Sequence, residues 1–212
     1  MKLRRKNQIL FVSLTVAILS FMGPSSLWAV PLKNPSPVLR SGDLFPTIHL
    51  PNSLSQIEKK YLGLGEKKIF SLDEIKSDLI VVKYLNTNCP YCIKLLPVFN
   101  EIYQTLEQDS TLNGKIRIIG ISTGDTLAEV EGFKRKHTIP YPILPDPEFK
   151  AHKAVGEPRV PFIVVARKDK LNRWVVATVH VGLIFSAENF IGELKAILGI
   201  DPEALRLKKS PP

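Results

Sequence analysis

The sequence predicts an α/β fold: a central mixed β-sheet flanked by helices, with an N-terminal β-hairpin extension. Three observations carry that prediction. Leu79–Leu85 (Leu-Ile-Val-Val-Lys-Tyr-Leu) and Ile116–Ile121 are apolar, β-branched-rich runs of strand length. Each is followed by a stretch whose apolar residues recur every three or four positions, the period of a helix with one buried face. Near the end, two more apolar runs are joined by a polar turn and followed by a last amphipathic stretch. Strand, helix, strand, helix, hairpin and helix in that order imply a mixed sheet with helices on both faces.

Taken in order, Met1-Lys2-Leu3-Arg4-Arg5-Lys6 is a basic start, and Ile9 to Met22 is apolar apart from Ser and Thr. Gly23-Pro24 breaks that run and Ser25-Ser26-Leu27-Trp28-Ala29 follows, the order of a secretory signal with cleavage expected after Ala29. The run is shorter than the roughly 20 residues a spanning helix needs. Leu27 is larger than the small residue usual before a cut, so residues 1–29 are a signal peptide or an uncleaved anchor. Only in the second case does the protein meet a membrane. Residues 30–41 are proline-rich and without period, a linker. Phe45 to Pro51 alternates weakly as a short strand, residues 52–66 are poorly patterned, and Lys67 to Phe70 is placed to pair back as the hairpin. Ser71-x-x-Glu74 fits a capping box for one helical turn.

After the strand Leu79–Leu85, Leu95, Leu96, Phe99, Ile102, Tyr103 and Leu106 predict a helix over Cys92 to Leu106, bent by Pro97. Asn113-Gly114 is a turn into Ile116–Ile121. Thr126 to His137 reads as a helix, Tyr141 to Pro145 as a short extended piece, and Phe149 to Val155 as a short helix stopped by Gly156. Phe162–Ala166 and Trp174–Val181 form the hairpin about Lys168-Asp169-Lys170, and Glu188 to Leu198 is the last helix, ending at Gly199. The domain thus spans 42–199, with a basic tail at 200–212.

Composition narrows the function. The chain has 212 residues, 44% hydrophobic and 23% charged, which suits one domain with a real core. Its formal charge is +9, but Lys2, Arg4, Arg5 and Lys6 supply four of those charges, leaving +5. The remaining basic residues are scattered pairs without interleaved aromatics, which speaks against a nucleic-acid surface. The only two cysteines are Cys89 and Cys92. A bridge between them closes almost no loop, so its value is chemical rather than mechanical. Two cysteines are too few for a structural zinc site, and the four histidines are remote in sequence. No metal or cofactor is expected.

Cys89-Pro90-Tyr91-Cys92 sits where a buried strand turns into a helix. The free N–H groups and positive dipole end of that helix face Cys89 and favour a thiolate there. Cys92, one turn in, is expected to be more buried. Cys89 then attacks a partner disulfide and Cys92 resolves the mixed disulfide. Neither Pro90 nor Tyr91 is expected to donate a side-chain proton to Cys92, and both act through shape and backbone geometry.

These residues resemble the thioredoxin superfamily, in particular its exported TlpA/ResA-like branch, which borders the peroxiredoxins. The likeness spans 42–199 and rests on Gly42-Asp43-Leu44-Phe45-Pro46, Phe70 to Ile75, Val81 to Cys92, Pro97, Val155-Gly156 and Arg159 to Val164. It implies a thioredoxin-like fold and a thiol-disulfide oxidoreductase that is periplasmic or otherwise outside the cytosol. It also implies protein disulfide substrates, apocytochrome c among them, and a membrane thiol-disulfide protein as electron donor. It implies a cis bond at Val160-Pro161 facing the cysteines, with the Val160 backbone pairing to substrate and Pro161 keeping metal off the sulfurs; an ordinary trans proline at a strand start is the plain alternative.

Three departures stand out. Asn88 replaces the tryptophan usual before the first cysteine. Lys83 stands where thioredoxins carry a buried acid beneath the second cysteine; its ammonium either favours the thiolate by charge or snorkels to the sheet edge. Leu95 stands where some reductases of this branch have a glutamate. Two other functions compete. A thiol peroxidase is disfavoured because Asn86 and Thr87 precede Cys89 without the peroxiredoxin proline. A copper chaperone is disfavoured because its C-x-x-x-C spacing is one residue longer.

Overall fold

The computed structural model describes residues 37–200. The expected signal segment 1–29, most of the linker, and the tail from 201 lie outside them. Five strands form the sheet: β3 (Leu79–Leu85), β4 (Ile116–Thr123), β5 (Ile143–Asp146), β6 (Phe162–Lys168) and β7 (Trp174–Val181), in the order β5-β4-β3-β6-β7. β3, β4 and β5 run parallel, while β6 and β7 pair antiparallel. β3 is central and buried on both sides along its whole length. Its alternation divides the molecule into two cores. Leu79, Val81 and Leu85 pack with α3 (Leu96–Gln108) and α6 (Ala187–Leu198), through Phe99, Ile102, Phe190 and Leu194. Ile80, Val82 and Tyr84 face the opposite core, built with Leu39, Phe45, Leu50 and Phe70 of the N-terminal extension. This is the mixed sheet, helices on both faces, that the sequence predicts.

The extension differs in detail from the expected hairpin. β1 (His49–Pro51) and β2 (Ile69–Ser71) do pair antiparallel, but a helix, α1 (Gln56–Leu62), is inserted between them in the stretch read as unpatterned. Its start is a full capping box: Ser55 Oγ accepts from the Glu58 N–H, and the Glu58 carboxylate accepts from the Ser55 N–H. Gly63 closes it in the left-handed conformation. The turn at Leu72–Glu74 is a 3-10 helix with the Ser71–Glu74 box the sequence suggests.

The helix after the cysteines is two helices. α2 (Pro90–Lys94) and α3 meet at Leu95, two residues ahead of Pro97, whose missing N–H cannot bond Ile93 across the junction. α4 (Leu127–His137) is capped by Thr126 with Glu129, and α5 is Lys150–Ala154. The described end of the linker is packed rather than free. Leu39 is buried and its N–H donates to Val155 O, while Gly42 N–H donates to Val176 O at 2.8 Å.

Candidate active site

β3 ends at Leu85, and the loop Asn86-Thr87-Asn88 carries the chain to Cys89 at the mouth of α2. One buried carboxylate shapes that loop. Asp125, 3% exposed, accepts from the Thr87 N–H (2.8 Å), Thr87 Oγ1 (2.9 Å), Ser122 Oγ (2.6 Å) and Asn86 Nδ2 (3.3 Å). Asn86 Nδ2 also donates to Thr123 O, and Asn86 O accepts from the Cys89 N–H.

Cys89 is the N-cap of α2, with Pro90 at the first helical position, where a missing N–H costs nothing. The Cys89 sulfur accepts from the Cys92 N–H at 3.3 Å, and its thiol donates to Val160 O at 3.7 Å. The Val160–Pro161 bond is cis, and Pro161 O accepts from the Gly182 N–H at the end of β7. The structure therefore brings Cys89, Cys92, Val160 and Pro161 together. Cys89 is partly exposed, Cys92 fully buried, and both are free thiols. Pro90 is exposed, as is Tyr91, over whose ring Lys94 Nζ sits at 5.6 Å.

Lys83 does not snorkel. It lies mid-strand on a fully buried strand, paired with Gly120 on one side and Ile163 on the other, and is 0% exposed. Its four-carbon stem has no open edge to reach. Alternation puts it on the same face as Val81 and Leu85, the face that α2 and α3 cover. Its amine donates to Tyr141 Oη at 3.3 Å and sits 4.5 Å from the centre of the Phe99 ring. Burial pulls the Lys83 amine down to about 8, opposed by the nearby charges of Cys92 and Cys89. Burial pushes the Cys92 thiol up to about 12, helped by its hydrogen bond with Cys89 and opposed by Lys83. Tyr141 is pushed up by burial and by Cys92. Among the described residues, no three His, Cys, Asp or Glu side chains converge as a metal-ligand set.

Sequence reasoning missed Asp125 and Tyr141. Asp125 follows Gly124 and reads as turn chemistry; Tyr141 opens the short extended piece that becomes β5. Neither position carries a local sign of its partner.

The fold that carries this pair of thiols is shared with known structures. The thioredoxin domain of a thiol-disulfide oxidoreductase from Bacteroides vulgatus is similar, with a TM-score of 0.56 at 13% identity over 74% of this chain and 98% of that one. So is a thiol:disulfide interchange protein of the thioredoxin family from Chlorobium tepidum, with a TM-score of 0.52 at 21% identity over 77% of this chain and 100% of that one. A thiol:disulfide interchange protein from a Bacteroides species aligns with a TM-score of 0.56 at 12% identity, over 78% and 94%. At such identities these likenesses establish the thioredoxin-like fold. A comparison with curated protein sequences gives no match. The AhpC/TSA family pattern covers residues 42–171, from the start of the extension through β6, and so takes in both cysteines and the Val160–Pro161 turn. Matched over more than half its length, the chain belongs to the AhpC/TSA family.

Proposed function

We propose that this protein is an extracytoplasmic thiol-disulfide oxidoreductase that reduces disulfides of other proteins through Cys89 and Cys92. The observation that carries the reading is the unequal pair: Cys89 partly exposed at the cap of α2 and Cys92 buried beneath it. Cys89 attacks a substrate disulfide and becomes joined to one substrate sulfur, while the other leaves as a thiolate. Cys92 then attacks Cys89, closing the Cys89–Cys92 bond and releasing the second substrate thiolate. Two electrons pass from the pair to the substrate, and no cofactor is required. Val160 offers its carbonyl to an extended substrate segment beside Cys89, and Pro161, Pro90 and Tyr91 shape the surface there.

The basic-then-apolar start of the sequence supports export, and the family likeness supports a membrane thiol-disulfide protein as electron donor, with apocytochrome c among the substrates. No helix among the described residues is long and apolar enough to cross a membrane.

Equilibration of the protein with glutathione buffers tests the reading. A Cys89–Cys92 potential near −270 mV or lower, about that of thioredoxin, fits a reductase fed by a dedicated donor. A value near about −120 mV makes it a disulfide-forming oxidase. With no reversible couple the oxidoreductase reading fails, and peroxide turnover or copper retention by the reduced protein becomes the next assay.

A further inference from the structure

Lys83 is the only buried cationic side chain among the described residues. An amine in the middle of a central strand is expensive unless paired, and an apolar side chain of the same volume fits such a site at lower cost. The protein gives it one hydrogen-bond partner, Tyr141 Oη at 3.3 Å, where an ammonium has three protons to place. Among the described residues no carboxylate contributes to its charge balance; the ionisable groups that act on it are Cys92 and Cys89, from α2 and its cap. Tyr141, ahead of β5, is its polar contact. The strands beside it present Gly120 and Ile163, and α3 presents the Phe99 ring.

That setting suits an amine that is neutral in one step and charged in the next. As a neutral amine, Lys83 donates to Tyr141 and keeps its lone pair. As an ammonium, it lies 4.5 Å from the centre of the Phe99 ring and 5.8 Å from that of Tyr141, both able to stabilise a cation. Its neighbour Cys92 has a proton that must leave before the sulfur can attack, and it sits in a buried place where water is a poor base.

We propose that Lys83 is the proton acceptor for Cys92, taking its thiol proton as the mixed disulfide is resolved. The inference rests on the oxidoreductase reading above. With the substrate joined to Cys89, the Lys83 lone pair takes the proton of Cys92, leaving a thiolate beside an ammonium. The thiolate attacks Cys89, the Cys89–Cys92 bond forms, and the bond from Cys89 to the substrate sulfur breaks. The electron pair leaves on the substrate sulfur as a thiolate. Lys83 then gives up its proton to that thiolate or to water, so a dithiol and a disulfide have become a disulfide and two thiols. The depressed basicity of Lys83, about 8, lets the neutral form be reached near neutral pH.

Ellman's reagent separates the two steps in stopped flow. Attack by Cys89 releases the first thionitrobenzoate at a rate proportional to reagent, and resolution by Cys92 releases the second at a rate independent of it. In the unaltered protein the second rate should rise with pH and level off with a break near 8. In Lys83→Met the break should vanish and the second rate at pH 7 should fall about 100-fold or more, the usual range for losing a general base. The first rate should change less than threefold. Lys83→Arg keeps a charge but cannot accept a proton, so it should be as slow as Lys83→Met. An unchanged second rate in Lys83→Met, full activity in Lys83→Arg, or equal slowing of both steps would each overturn the proposal. If neither variant folds, the unaltered protein decides: a log-linear rise through pH 8 without a break also overturns it. A missing second phase in the unaltered protein would instead sink the oxidoreductase reading itself.

Discussion

Asp125 does for the active-site loop what a cap does for a helix: it gathers donors that would otherwise be buried unpaired. Its two oxygens serve four donors from Asn86, Thr87 and Ser122, and so tie the end of β3 to the end of β4 just before Cys89. Asp125→Ala leaves the Thr87 N–H and Ser122 hydroxyl without an acceptor. The expected cost is about 3 kcal/mol in urea unfolding, with slower reaction of Cys89 as the loop loosens. Asp125→Asn, which keeps the shape but turns one acceptor into a donor, should fall between. At this scale the cysteines were legible because their chemistry and their position between strand and helix are both local. The face that Lys83 occupies was legible too, since it shares the odd-numbered alternation of Leu79, Val81 and Leu85. Its depth was not, because whether a strand is central or at an edge is decided by β4 and β6, and these are distant in sequence. Asp125 shows the same limit: its partners Asn86 and Thr87 are 38 or 39 residues away.

α1 is an insertion with a task in the sheet. β5 pairs with β4 only from Gly120 onward, so the first half of β4 has no strand on that side. Tyr61 of α1 reaches it, and its hydroxyl accepts from the Ile118 N–H at 2.9 Å, with Arg117 stacked 4.4 Å from the ring centre. Glu58 and Lys134 then link α1 to α4 through an ion pair. Tyr61→Phe keeps the ring and removes the acceptor. Stability should drop by about 1–2 kcal/mol, and hydrogen exchange at the Ile118 amide should speed up at least tenfold while amides in β3 change little. The ends of α1 were in fact written in the sequence, as Ser55-x-x-Glu58 and Gly63. Its apolar content is slight, however: Leu62 is its one buried hydrophobic residue, so periodicity gave no signal. The break between α2 and α3 was legible as a bend at Pro97; its place at Leu95 follows from which carbonyl loses its donor.

Over the whole molecule, residues 39–45 close the sheet on its other side. Gly42 and Phe45 donate to Val176 O and Trp174 O, Val176 donates to Asp43 O, and Leu44 bridges Val175, so the outer edge of β7 is partly covered. Backbone fit is tight where this segment begins: any Cβ at Gly156 would lie 2.5 Å from the Pro37–Val38 peptide. A chain beginning at Thr47, compared with one beginning at Pro37, loses buried Leu39 and Phe45, each worth about 1.5–3 kcal/mol. It should unfold at clearly lower urea and, with an edge open, associate as its concentration rises in size-exclusion chromatography. β3 belongs to both cores at once, and that has a further consequence for how the chain finds its fold. Lys83 and Tyr84 are adjacent and face opposite ways. A slip of one residue would exchange them, taking the amine away from Tyr141 and Phe99 and sending it among Ile119, Ile121 and Val164. Lys83 thus acts as a parity check on strand pairing, rejecting a misread register that apolar residues alone would tolerate.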